Sequence, residues 1–188
     1  MRSKNMGTKK YYGMVLAFML VGGIFPLAAD HPENQLALGP VIGAQYEAKG
    51  VGSSLGLALK FPDIPLFWAT YVGFTSDSFG FSLTGDKYIY DENLIAEKGF
   101  KLDWYFGLGG YLTIGSQRDV FIMATGARFP LGASWHINKE WELFLALTPT
   151  VGISLAPELK FPDWFIGAEL GLRYWFPRTA STKGGGKK

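Results

Sequence analysis

The chain has 188 residues, enough for one domain, and is 48% hydrophobic and 16% aromatic but only 18% charged. Soluble domains carry roughly 25% charge, so the composition points to a surface that largely avoids water, and the lack of cysteine excludes disulfides, thiolate metal sites and a lipid-modified cysteine. The net charge of +2 sums unlike parts: four bases and no acids in 1–29, four bases and no acids in 177–188, and a body with ten bases against sixteen acids, too acidic for a nucleic-acid-binding surface.

Residues 1–10 are basic, 13–26 (GMVLAFMLVGGIFP) are apolar, and Leu27-Ala28-Ala29 ends in small residues before Asp30. This is the layout of a cleavable export signal, too short for a comfortable membrane-spanning helix. Processing after Ala29 is expected, leaving 30–35 as a short leader. His31 in that leader is expected to have no partner within an ordered element.

From Leu36 onward the pattern alternates with a period of two, the signature of strands. Weaker alternation covers 36–47, 53–61, 66–75 and 79–90. The gap 91–99 has room for a helical turn. Residues 100–114 are a strong strand, with Phe100, Leu102, Trp104, Phe106 and Leu108 opposing Lys101, Asp103, Tyr105, Gly107 and Gly109. A weaker sixth strand covers 121–137, and Pro130 inside it offers a break point. Residues 141–155 and 164–176 alternate throughout. Turn-rich pieces separate the strands, among them Pro62-Asp63-Ile64-Pro65, Ser116-Gln117-Arg118-Asp119 and Asn138-Lys139. Pro40 and Pro149 also fall inside strands, where a missing N–H needs a bulge or a gap in the ladder. The pentapeptide Leu-Lys-Phe-Pro-Asp occurs at 59–63 and 159–163 and reads as reused turn chemistry.

Eight strands of about ten residues match the length that a tilted strand needs to cross a bilayer. One face of each is Leu, Ile, Val, Phe and Trp along its length; the other is largely Gly, Ala, Ser and Thr with an occasional charge. A soluble lipid-carrying barrel would turn a Lys- and Glu-rich face to water. A narrow lumen instead needs small side chains and a few paired charges. The fold class expected is therefore all-β: an eight-stranded antiparallel up-and-down transmembrane β-barrel over 36–176, apolar face outward, followed by a basic, Gly-rich tail at 177–188. Trp135, Trp141, Phe61, Trp68, Phe100, Trp104, Tyr174 and Phe176 fall at the end of the barrel nearest the N-terminus, as an aromatic girdle.

The last strand carries a more specific pattern. Glu169-Leu170-Gly171-Leu172-Arg173-Tyr174-Trp175-Phe176 resembles the signal that the barrel-assembly machinery reads in outer-membrane barrels, with Glu169, Gly171, Tyr174 and Phe176 at the defining positions. In that family the final aromatic is normally the chain end, whereas twelve residues follow Phe176 here. With the export signal and eight alternating strands, the chain resembles the small outer-membrane barrels, which include the outer-membrane protein A transmembrane domain and the X and W proteins. Segments 103–110 and 126–132 are also similar to small barrels of spirochaetes. The resemblance implies outer-membrane residence, outer-membrane lipid and the assembly machinery as partners, and a structural, adhesive or solute-passing role.

Few residues carry chemistry. Ser134, His136 and Glu142 share a phase and invite comparison with barrels that cut lipid acyl chains. That phase puts them in the lumen, not at a lipid-facing rim, and so argues against catalysis. No phosphate loop, metal-ligand cluster or cofactor motif appears. Counting from the turn at 138–140, Lys101, Asp103, His136, Glu142 and Arg173 all face inward at one level. They are expected to form a structural charge network that plugs the lumen. A side-chain-filled structural or surface-interaction barrel is the leading reading, and a narrow conduit for small or hydrophobic solutes is the alternative.

Overall fold

The structure, a computed structural model, describes residues 31–32, 34–47, 50–74, 77–97 and 100–177. The expected signal segment, and the tail from 178, lie outside the described residues. Nine strand segments follow in order: β1 (Ala37–Glu47), β2 (Gly50–Lys60), β3 (Phe67–Phe74), β4 (Ser78–Glu97), β5 (Phe100–Gln117), β6 (Val120–Arg128), β7 (Leu131–His136), β8 (Trp141–Ala156) and β9 (Lys160–Trp175). Each pairs antiparallel with its neighbours, and β1 pairs with both β2 and β9, which closes the ring. Closure pairs backbone groups between strands and leaves no open sheet edge for lipid to meet.

The ring has eight spanning strands because β6 and β7 are two halves of one. Both pair with β5 on one side and β8 on the other, and the register carries through residues 129–130 without a shift. The break has a chemical cause. Pro130 has no N–H to give and Pro149 stands in β8 beside the gap, so the Pro149 carbonyl takes the Phe129 N–H at 3.0 Å and the Pro130 carbonyl takes that of Gly107 at 2.8 Å. Pro40 is accommodated differently. The ladder between β1 and β9 skips from Leu38–Tyr174 to Val41–Gly171, and the proline sits in that gap.

Two expectations need correction. Segment 91–99 holds no helical turn in its described part: β4 runs to Glu97 and pairs with β5 down to Glu97–Phe100. Bulges between Tyr88 and Tyr90 and between Asn93 and Ile95 shift the side-chain phase. That shift, in the polar run Asp91-Glu92-Asn93, erases the alternation a strand would show. The second Leu-Lys-Phe-Pro-Asp copy is not a turn either. Lys160 opens β9 and Asp163 pairs with Gly152, while the bulge between Gly152 and Ser154 makes room for Pro162. The first copy does end β2 and lead into a turn, with Asp63 at φ 61°.

The outer surface is a continuous apolar belt: Ile42 on β1, Leu55 and Leu57 on β2, Phe81 on β4, Leu112 on β5, Leu145 and Leu147 on β8, and Leu170 on β9 are all exposed. At the end where β1 starts and β9 stops, here the lower end, aromatic rings gather. Trp141 lies 5.0 Å from Tyr174, Tyr174 lies 5.0 Å from Phe176, and Phe100 lies 5.8 Å from Trp135. The opposite end includes a tight turn. Arg118 and Asp119, both at positive φ, make the two-residue link from β5 to β6.

Candidate functional site

The lower third of the lumen holds the densest polar chemistry. Glu142 on β8 and Arg173 on β9 are register partners, and Arg173 Nη2 donates to Glu142 Oε1 at 2.7 Å. Trp175 Nε1 donates to the other carboxylate oxygen at 2.6 Å. Beside this pair, Asp103 Oδ2 on β5 lies 2.7 Å from His136 Nε2 and 3.2 Å from Lys101 Nζ, and its Oδ1 accepts from Asn93 Nδ2 at 2.8 Å. The five residues singled out in the sequence therefore lie in one chamber, in two adjoining groups. Asp103 and Glu142 are wholly buried and Arg173 nearly so. The guanidinium is sandwiched between the rings of Phe144, at 4.3 Å, and Phe67, at 4.7 Å.

What joins the groups is a residue the sequence reading set aside. His31 is buried, and the expectation that it lacks an ordered partner is wrong. Its backbone N–H donates to Asp91 Oδ2 at 3.0 Å, and its Nδ1 lies 2.7 Å from Asp91 Oδ1. Nε2 lies 3.0 Å from Glu142 Oε1 and 3.1 Å from Ser134 Oγ. The ring of His136 is 5.6 Å away. Burial alone would lower the His31 pKa, but the Glu142 charge and the hydrogen bonds to Asp91 and Glu142 outweigh it and lift the pKa to about 9. His31 is thus an imidazolium with a carboxylate at each ring nitrogen. A leader without periodicity offers no phase from which to infer this placement.

Ser134, His31 and Asp91 have the connectivity of a nucleophile, a base and an orienting acid. The chemistry does not follow from it. A general base needs a lone pair on Nε2, and the Glu142 carboxylate 3.0 Å from that nitrogen favours its protonated form. Ser134 is also completely buried, with no room for a substrate beside its hydroxyl. His136, the histidine first compared with such enzymes, stands 2.7 Å from Asp103 instead.

A second ionic layer, absent from the sequence reading, lies higher up. Arg128 on β6 bonds Glu169 on β9 and sits 3.0 Å from Asp86 on β4, all inward-facing. Between the layers, Val41, Ala58, Ala69, Tyr71 and Phe144 form an apolar cluster. Above Arg128 the lumen retains a cavity of about 30 Å³ lined by Ser54, Ser82, Thr84, Tyr111 and Thr150 among others. That is room for no more than a couple of waters.

No protein-family model matches the chain, and no curated protein matches it. Among solved structures it is similar to Neisserial surface protein A, at 14% identity over 76% of this chain and 96% of that one, with a TM-score of 0.48. It is also similar to the N-terminal β-barrel domain of OprF from Pseudomonas aeruginosa, at 14% identity over 74% and 97%, TM-score 0.40. A third is a major outer membrane protein from Thermus thermophilus, at 16% identity over 75% and 99%, TM-score 0.38. This chain's own closed ladder and apolar belt make it a transmembrane barrel.

The residues of the last-strand pattern divide between the two faces. Glu169 faces inward and belongs to the upper ionic layer. Gly171 is where the Phe144 ring crosses β9, and any Cβ there would collide with that ring. Tyr174 and Phe176 face outward in the lower aromatic cluster.

Proposed function

We propose that the chain is an integral outer-membrane barrel with a structural or surface-interaction role, its lumen filled by side chains, and that it performs no catalysis. The observation that carries this reading is the stack of two ionic layers around an apolar one, with a cavity of about 30 Å³ above it. An eight-stranded interior is just wide enough to be filled in this way. The chain reaches the membrane through a cleavable signal ending at Ala29. The assembly machinery reads its last strand through Glu169, Gly171, Tyr174 and Phe176. Outer-membrane lipid contacts the apolar belt, and the two-residue Arg118-Asp119 turn at the upper end offers little surface for adhesion, which favours the structural role.

The test is planar-bilayer recording on refolded protein, with fractionation of membranes from the producing cell. The expected result is protein in the outer membrane and no unitary current. A steady current from the unaltered chain would overturn the filled-lumen reading and make the barrel a narrow conduit.

A further inference from the structure

The leader reaches its site as a ligand reaches a receptor. Leu36, one residue before β1, is pinned at the lower rim by its carbonyl, which accepts the Phe176 N–H at 2.9 Å. From there the chain leaves the ladder and carries His31 into the lumen. Every wall of the chamber that receives it belongs to a ladder strand: Phe67 on β3, Tyr88 and Asp91 on β4, Tyr105 on β5, Glu142 on β8 and Trp175 on β9. The rings of Phe67, Tyr88, Tyr105 and Trp175, and that of His136 on β7, stand 5.4 to 6.1 Å from the imidazole centroid. The barrel builds the box; the leader only fills it.

The box is selective. An imidazolium presents two N–H donors on opposite edges of a flat ring, and Asp91 and Glu142 stand at those two edges, at 2.7 and 3.0 Å. Aromatic walls favour a cation over a neutral ring of equal size. An alkylammonium carries all its N–H donors on one atom and cannot reach carboxylates set at two separate edges of a ring-sized space. We propose that the lower chamber is a binding site for a planar monocation of the imidazolium class, occupied in cis by His31. Tethering gives His31 a high effective concentration, so a free cation gains the site only once the leader is displaced. The proposal rests on the closed-lumen reading above.

The experiment uses the refolded mature chain in lipid vesicles in a thermal-unfolding assay at pH 6, below the ordinary imidazole value of about 6.5. The probe is imidazole. The unaltered chain is expected to be indifferent to it. H31A is expected to unfold at a lower temperature than the unaltered chain, and imidazole should raise that temperature. Adding D91N should weaken the imidazole response about tenfold or more, as loss of a charged hydrogen bond implies. H31F, which restores a flat ring without charge, should stay less stable than the unaltered chain and ignore imidazole. An H31F as stable as the unaltered chain, or an H31A that ignores imidazole, would each overturn the proposal. Should H31A fail to fold, refolding it with imidazole present is decisive: recovery of the folded barrel supports the proposal, and none overturns it. Current through the unaltered chain in planar bilayers would defeat the closed-lumen reading, while the imidazole response of H31A still judges the site.

Discussion

Truncating Arg173 to alanine is the most direct probe of whether the lower lumen is dry. The substitution removes the 2.7 Å bond to Glu142 and the stacking on Phe144 and Phe67. Breaking a buried ion pair from one side costs about 3–5 kcal/mol, because the surviving charge is stranded. Here the stranded carboxylate keeps two donors, Trp175 Nε1 at 2.6 Å and His31 Nε2 at 3.0 Å. The cost should therefore fall near the low end of that range, at about 3 kcal/mol. Urea titration of the barrel in lipid vesicles measures it, with Trp175 reporting by fluorescence from the perturbed site. A double variant, Glu142→Gln with Arg173→Met, replaces the pair by groups of similar volume without stranding a charge. It should regain most of the loss. A cost for Arg173→Ala under about 1 kcal/mol would mean that water screens the pair, and the filled-lumen argument would fail with it.

Leu147→Arg, on the lipid-facing side of β8 near its middle, should impair folding by about 2–4 kcal/mol, whereas Val51→Arg at the rim of β2 should cost about 1 kcal/mol or less; equal costs would mean that the belt is misplaced. His31, with a pKa of about 9 in the folded chain, adds stability that is complete below about pH 6.5 and is lost as pH rises through about 9. His31→Gln should remove that part of the pH profile. A serine-directed phosphonate should not label Ser134, and labelling in the folded barrel would revive the catalytic reading. Intact mass of the mature protein should correspond to a chain starting at Asp30-His31-Pro32-Glu33, and a mass retaining 1–29 would refute processing after Ala29.

Most of the barrel could be read in advance because a ladder makes geometry periodic. Once the turn at 138–140 is located, register alone places Glu142 opposite His136 on one side and Arg173 on the other, as the pairing has it. Arg128 lies on the same phase as Ser134 and His136, so half of the upper layer was within reach of the same reasoning. Its partner Asp86 sits on a strand too weakly patterned to give a level. What escaped was whatever left the period. Bulges hid the end of β4, and with it Asp91. His31 lies on no strand at all. The same property that hid His31 defines its role: among the described residues, it is an inward group whose position the closed ring does not fix directly. Its placement depends on Asp91, Glu142 and Ser134 and on the rings that surround it. In a barrel whose other lumen groups are anchored by interstrand hydrogen bonds, the leader is therefore the part that can leave without unfolding the rest.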